Sequence, residues 1–371
     1  MHMTAEERRS GRIAFLDAAR GVAMFFVLLS HFSIIYFQLP DGAAWAALLN
    51  LIGMIASPTF TVVSGLLLGF LYATKGSRFA VLRDKFVDRG LFLLTVGHVI
   101  VAAAQWHQQP DTLWSFVRTD CIGASIVAGA LMIARVSGRM RLALGVGGYL
   151  ASWLVIALWH PSTIIGTTIE RVLFGDMTAT NFPFVPWFSL YIASTVLGES
   201  FGRAGFAALR VLARKLAFVS GGGVALAFAF AAVTHRWGPF FQPHTIASNF
   251  TWIVQKYPPG PVYMLFYGGL AIAIVAVLIV VESRGWPGMG FLASNGQASF
   301  FIFAVHPVLL DVLSLLPSRP SAAWPIYFVA FYAAMSALAL MWERSNGNRF
   351  MTVAFLRHRW SVPARLEQSQ T

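Results

Sequence analysis

The sequence predicts an all-α membrane protein, a polytopic bundle of about ten transmembrane helices with both termini in the cytoplasm. Three observations predict it. Of 371 residues, 57% are hydrophobic and only 11% charged, and mean hydropathy is +0.67. A soluble domain carries roughly 25% charged residues, so this chain cannot cover its own surface in water. The apolar residues fall in long blocks, most near the roughly 20 residues that cross a bilayer. The cations, finally, are distributed unequally between the loops on the two sides.

In chain order the blocks run near 13–37, 44–73, 90–107, 121–137, 141–159, 184–202, 216–234, 261–282, 296–316 and 322–342. The first follows a charged start that imitates a secretory leader. Asp17 and Arg20 inside its apolar run, and the lack of a small-residue cleavage site, predict a retained helix. The second is long and carries Ser57-Pro58, which predicts a break or kink there. No internal repeat, heptad or low-complexity tract divides the chain, so one membrane domain is expected, with residues 1–12 and the basic tail 345–371 cytoplasmic.

With the N-terminus inside, only Arg118, Arg171, Arg236, Lys256 and Arg319 fall in outside loops, and Arg20 is intramembrane. The other 21 of the 27 Lys and Arg are inside, as the positive-inside rule requires. This accounts for the pI near 10.4 without a nucleic-acid partner. The single cysteine, Cys121, forms no intrachain disulfide and builds no thiolate metal site. No metal motif, phosphate-binding glycine loop or Ser-His-Asp order stands out. A compact chain with no targeting extension points to the plasma (inner) membrane.

The chemistry concentrates in the first helix. At about 100° per residue, Arg20 and His31 differ by only about 20° around the axis, and Asp17 lies about 60° from Arg20. One face thus carries Asp17, Arg20 and His31 at rising depth, with roughly 16 Å between the last two. Ionisable groups at such depth cost several kcal/mol unless they face protein or a wet cavity. The competing structural reading is an Asp17–Arg20 pair that locks helix packing, and a neutral histidine packed against a neighbouring helix.

Asp17-x2-Arg20-Gly21 followed by His31 resembles the first-helix signature of the transmembrane acyltransferases, which include the acyltransferase-3 and heparan-α-glucosaminide N-acetyltransferase-like proteins. The resemblance continues in order. It takes in Ser57-Pro58-Thr59-Phe60 with Ser64-Gly65, Asp88-Arg89-Gly90-Leu91, and Pro183-Phe184-Val185-Pro186-Trp187 with Leu197-Gly198. Lys256-Tyr257-Pro258-Pro259 and the aromatic run ending in His306-Pro307 complete it. Two departures stand out. The third helix opens with Arg83, Lys85 and Arg89 rather than an Arg-x2-Arg pair, and Gly260 replaces a serine after the two prolines.

The resemblance implies transfer of an acyl group from cytoplasmic acyl-CoA, a donor substrate rather than a tightly bound cofactor. The acceptor is a hydroxyl or amine, on a glycan or lipid-linked sugar, at or beyond the membrane midplane. Arg83, Lys85, Arg89 and Ser64 become candidates for donor binding, since arginine suits phosphate through paired hydrogen bonds; ordinary positive-inside charge is the plainer account. His31 becomes the candidate general base, because imidazole titrates nearest neutrality, with a covalent acyl-histidine as the alternative. Arg20 would bind the donor or steady an oxyanion, with Asp17 orienting it.

Trp187, Lys256, Tyr257 and His306 are candidates for the acceptor site. Against this, Trp and Tyr at that depth usually form an interfacial belt, and His306 also reads as a packed residue capping carbonyls freed by Pro307. His98 and Glu199 read as structural, Asp311 as interfacial, and Asn249-Phe250-Thr251 as a glycosylation sequon. The bilayer, acyl-CoA and the acceptor are the expected partners, with self-association open. The rival class is a proton-coupled secondary transporter, which would use the same Asp, Arg and His face. It predicts two pseudo-symmetric halves, which the sequence does not display.

Overall fold

The computed structural model describes residues 13–37, 43–176, 182–204, 208–236, 255–315 and 320–353. The sequon at 249–251, most of the loop 235–260 and the tail beyond 353 lie outside them. The described residues are helical, with one isolated bridge between Lys256 and Pro259 and no strand.

Helix α1 is Ala14–Tyr36, α2 Ala43–Gly53 and α3 Ala56–Lys75. Helix α4, Phe79–Phe92, continues through a π-helical turn at Leu93–Gly97 into α5, His98–Ala104. Then come α6 (Arg118–Met132), α7 (Gly138–Leu158), the short α8 (Ile164–Ile169), α9 (Phe184–Ala204) and α10 (Leu209–Arg236). The chain closes with α11 (Pro261–Ser283), α12 (Met289–Gln297), α13 (Ser299–Ser314) and α14 (Trp324–Arg344).

Each of the ten apolar blocks is thus helical, but they do not all stand as separate spans. Seven stretches among the described residues are long and apolar enough to cross a membrane, or eight if the bent pair α12–α13 is one span. The stretch Ala44–Ala104 absorbs two of the expected blocks, and α9, with Glu199 and Arg203 in its last turns, falls short on composition.

The expected break at Ser57-Pro58 falls instead at Met54–Ile55. Pro58 sits in the first turn of α3, where a missing N–H costs no hydrogen bond. A break at membrane depth strands carbonyl groups that must be satisfied by protein. Here the Tyr263 hydroxyl donates to the Met54 carbonyl at 3.0 Å and the Tyr267 hydroxyl to that of Leu51 at 2.8 Å. The third helix starts at Phe79, ahead of the expected position, so Arg83, Lys85 and Arg89 lie within α4.

Small residues let the helices that frame the site pack backbone to backbone. A Cβ on Gly296 of α12 would lie 1.8 Å from the Asp17 carbonyl oxygen of α1, and one on Gly21 would lie 2.0 Å from the Leu292 carbonyl oxygen. Between α3 and α9, Gly65 approaches Tyr191 and Gly198 approaches Leu66 in the same way. Glu199 of α9 is held by Arg141 of α7, a buried ion pair that joins the two helices, and by the exposed Arg203 one turn on.

Candidate active site

Of the α1 residues that share a face, Asp17 and Arg20 line a cavity and His31 lies further along the helix, outside both cavities. Asp17 Oδ1 accepts from Arg20 Nη1 at 3.1 Å, and Asp17 Oδ2 accepts from Gln297 Nε2 at 3.3 Å. Arg20 is therefore steered by a carboxylate that α12 itself holds in place. A cavity of about 530 Å³ opens here, with Arg20, Lys85, Arg89 and Arg349 on its walls. A second cavity of about 200 Å³ shares Arg20, Arg89 and Gln297 with the first. It continues past Ser64 and Phe60 to Arg118 and Phe303.

Beyond Phe303, whose ring lies 5.5 Å from that of His306, α1 and α13 meet through two histidines. His31 Nδ1 and His306 Nε2 are 2.8 Å apart, and His306 Nδ1 lies 3.2 Å from the Ile302 carbonyl oxygen. These contacts assign both tautomers. A carbonyl only accepts, so His306 carries its proton on Nδ1 and presents a bare Nε2. His31 must then donate from Nδ1, which leaves its own Nε2 as a lone pair with no protein partner among the described residues. A backbone carbonyl thus sets the basic nitrogen of His31 through one intervening ring. His306, fully buried, lines neither cavity; it packs against its own helix and reaches His31.

Above the histidines lies an aromatic and cationic cluster. Lys256 Nζ sits 5.3 Å from the Phe182 ring centroid and 5.1 Å from that of Tyr257. Arg118 lies over the same Phe182 ring at 5.6 Å and over Phe60 at 5.5 Å. The Lys256 loop is pinned, since Gln255 Nε2 donates to the Tyr257 carbonyl at 2.6 Å and the Tyr149 hydroxyl to the Pro259 carbonyl at 2.9 Å. Burial, and next the Arg118 charge, lowers the Lys256 ammonium to about 7. Trp187 is 2% exposed and packs on Phe182 and Tyr263, so it belongs to this cluster and not to a lipid-facing belt.

Some candidates stand apart. Ser64 lines the smaller cavity, whereas Arg83 bonds Asp84 and lines neither cavity. His98 is a structural partner: Nδ1 meets the Asp120 carboxylate at 2.9 Å and Nε2 the Leu113 carbonyl at 3.1 Å. Asp311 accepts from Gln108 Nε2 at 2.9 Å. The sequence reading missed two residues. Arg118 was counted among outside-loop cations, yet it opens α6 and points into the bundle; Arg349 was counted as tail charge, yet it lines the larger of the two cavities. Nothing in their local sequence distinguishes them from loop charges.

The fold and this site define a polytopic helical membrane protein in which a histidine pair stands beyond the end of a cation-walled cavity. The family model described as heparan-alpha-glucosaminide N-acetyltransferase, catalytic, matches residues 12–232, more than half of the chain. The chain belongs to that family, a family of transmembrane acyltransferases, and the match lends the transporter reading no support. The match covers His31, Arg20 and Arg118 and ends before Lys256 and His306. No curated protein and no solved structure matches the chain.

Proposed function

We propose that this protein moves an acyl group from cytoplasmic acyl-CoA to a hydroxyl or amine on a glycan or lipid-linked sugar, with His31 as general base. The observation that carries the reading is the Ile302–His306–His31 chain, which leaves His31 Nε2 unprotonated just beyond a cavity walled by cations.

In this reading both termini are cytoplasmic, the membrane is the plasma membrane, and the larger cavity receives the donor. Arg20, Lys85, Arg89 and Arg349 bind CoA phosphates, and the pantetheine arm follows the narrower cavity past Ser64 towards Phe303. Eleven residues of continuous helix separate Arg20 from His31 by roughly 16 Å. That distance supports donor binding for Arg20 over oxyanion stabilisation beside His31, with Asp17 and Gln297 fixing its direction.

The acceptor O–H or N–H gives its proton to His31 Nε2 as its oxygen or nitrogen bonds to the thioester carbonyl carbon. The C–S bond then breaks as the tetrahedral centre collapses, and the leaving CoA sulfur takes that proton back from His31 Nε2, which restores the starting imidazole. The His31 imidazolium formed in between is held by His306 Nε2, which accepts its Nδ1 proton. No acyl-histidine is needed, since the same nitrogen serves as base.

The test is label transfer from radiolabelled acetyl-CoA and succinyl-CoA to host envelope extract by purified protein. General-base catalysis is worth about 10²–10⁴-fold, so His31→Ala should lose that much. His306→Ala should lose less and shift the pH–rate profile, because its role is to orient. Equal turnover of wild type and His31→Ala would remove His31 from the mechanism.

A further inference from the structure

Two cations beside Phe182 have no role in the reaction just described. Arg118 has its Nη2 buried without a hydrogen-bond partner among the described residues. The nearest acidic side chain in sequence, Asp120, is occupied by His98 and by the Val117 amide at 2.8 Å. The titratable side chains coupled to Arg118 include Tyr257, Tyr263, Cys121 and Lys256, none of them a carboxylate. Lys256 makes no ion pair with any described residue, and what faces it is Arg118 and the rings of Phe182 and Tyr257. Both positive charges reach His31.

Two like charges held near each other in a desolvated, aromatic-walled space repel and gain nothing from water. A buried cation is retained where an anion completes it. The Phe182 ring lies against both, so the two head groups share one aromatic neighbour. The pinned 255–260 loop and the His98–Asp120 anchor at the start of α6 fix their positions without occupying them.

We infer that Arg118 and Lys256 form an anion site for the acceptor: the acyl group is received by a sugar carrying a phosphate or carboxylate, with the anionic group between the two cations and the nucleophile towards His31. This rests on the acyl-transfer reading for what the bound molecule does, but not for whether an anion binds. The site takes the anionic oxygen, whether it comes from a soluble sugar acid, a sugar phosphate or a lipid headgroup.

The test uses full-length protein in nanodiscs of neutral phosphatidylcholine, with thermal unfolding as a readout that needs no turnover. Glucose 1-phosphate and glucuronate are compared with glucose, and a second set of nanodiscs carries phosphatidylglycerol. One or both anionic sugars should raise the wild-type Tm by about 2–4 °C at saturation, with no rise for glucose. A rise with phosphatidylglycerol alone assigns the anion to a lipid headgroup and overturns the sugar acceptor. Arg118→Gln and Lys256→Gln should abolish the rise, and Arg118→Lys and Lys256→Arg should keep part of it, which separates lost charge from lost folding. No rise with any anion, or an equal rise in the glutamine variants, overturns the site. CoA release is measured alongside. If wild type releases none while the anion shift persists, the acyl-transfer reading fails and the anion site stands. If release occurs, Arg118→Gln should raise the KM for the anionic sugar about 10- to 100-fold. An equal loss with glucose would overturn the assignment to the acceptor.

Discussion

At the residue scale, the site is a set of side chains whose states are dictated by neighbours. His31 owes its tautomer to His306, and His306 owes its own to a main-chain carbonyl. Lys256 shows the same dependence with opposite effect, because burial and Arg118 hold it down to about 7. An unfolded lysine titrates near 10.4. Between those two values the unfolded chain binds a proton that the folded one lacks, so folding stability rises with pH across that window. The unfolding temperature of the anion-free protein should therefore climb from pH 7 to pH 9 by more in wild type than in Lys256→Met. Parallel curves would show that Lys256 is solvated. The spacing of Asp17, Arg20 and His31 was legible in the sequence because one helix carries all three. The pairing of His31 with His306 was not, since 275 positions separate them.

At the element scale, the motif glycines are explained by contact. Gly21 and Gly296 are where α1 and α12 touch, and this approach presents Gln297 to Asp17. Gly296→Leu should separate the two helices. Overpacking of this kind costs about 1–3 kcal/mol, which a lower Tm would report, and donor affinity should fall with it because Arg20 loses its bracing. Unchanged donor affinity would mean that Arg20 does not depend on α12. The 79° bend between α12 and α13 belongs to the same logic, since α12 braces Asp17 while α13 carries His306 up to His31. The block near 296–316 was read correctly as helical, but a bend at Ala298 leaves no proline or charge in the local sequence to announce it.

At the scale of the whole molecule, a vestibule with four cations adjoins a second cavity, and a histidine pair and a second cation cluster lie beyond it. In the acyl-transfer reading the vestibule faces the cytoplasm. In right-side-out vesicles, an impermeant maleimide should leave Arg349→Cys unlabelled until the membrane is opened, and should label His160→Cys at once. The native Cys121 is buried and stays silent in both. The reverse pattern would invert the topology and remove cytoplasmic acyl-CoA as donor.

The sequence by itself determined that the chain is a helical membrane protein, which blocks are helical, and which helix carries the concentrated charge. Those properties are local: composition, block length and spacing around one axis report them directly. The ordered motifs also placed it among the transmembrane acyltransferases, as the family match over residues 12–232 bears out. Only the tertiary structure decided which distant groups meet. It joined His31 to His306, brought Arg118 and Lys256 to one phenylalanine ring, and turned Arg349 from a tail charge into a cavity wall. In a bilayer every helix is apolar almost all round, so hydrophobic pattern alone does not say which faces pair. That information lies in glycine contacts and buried polar partners, which exist only once the helices are side by side.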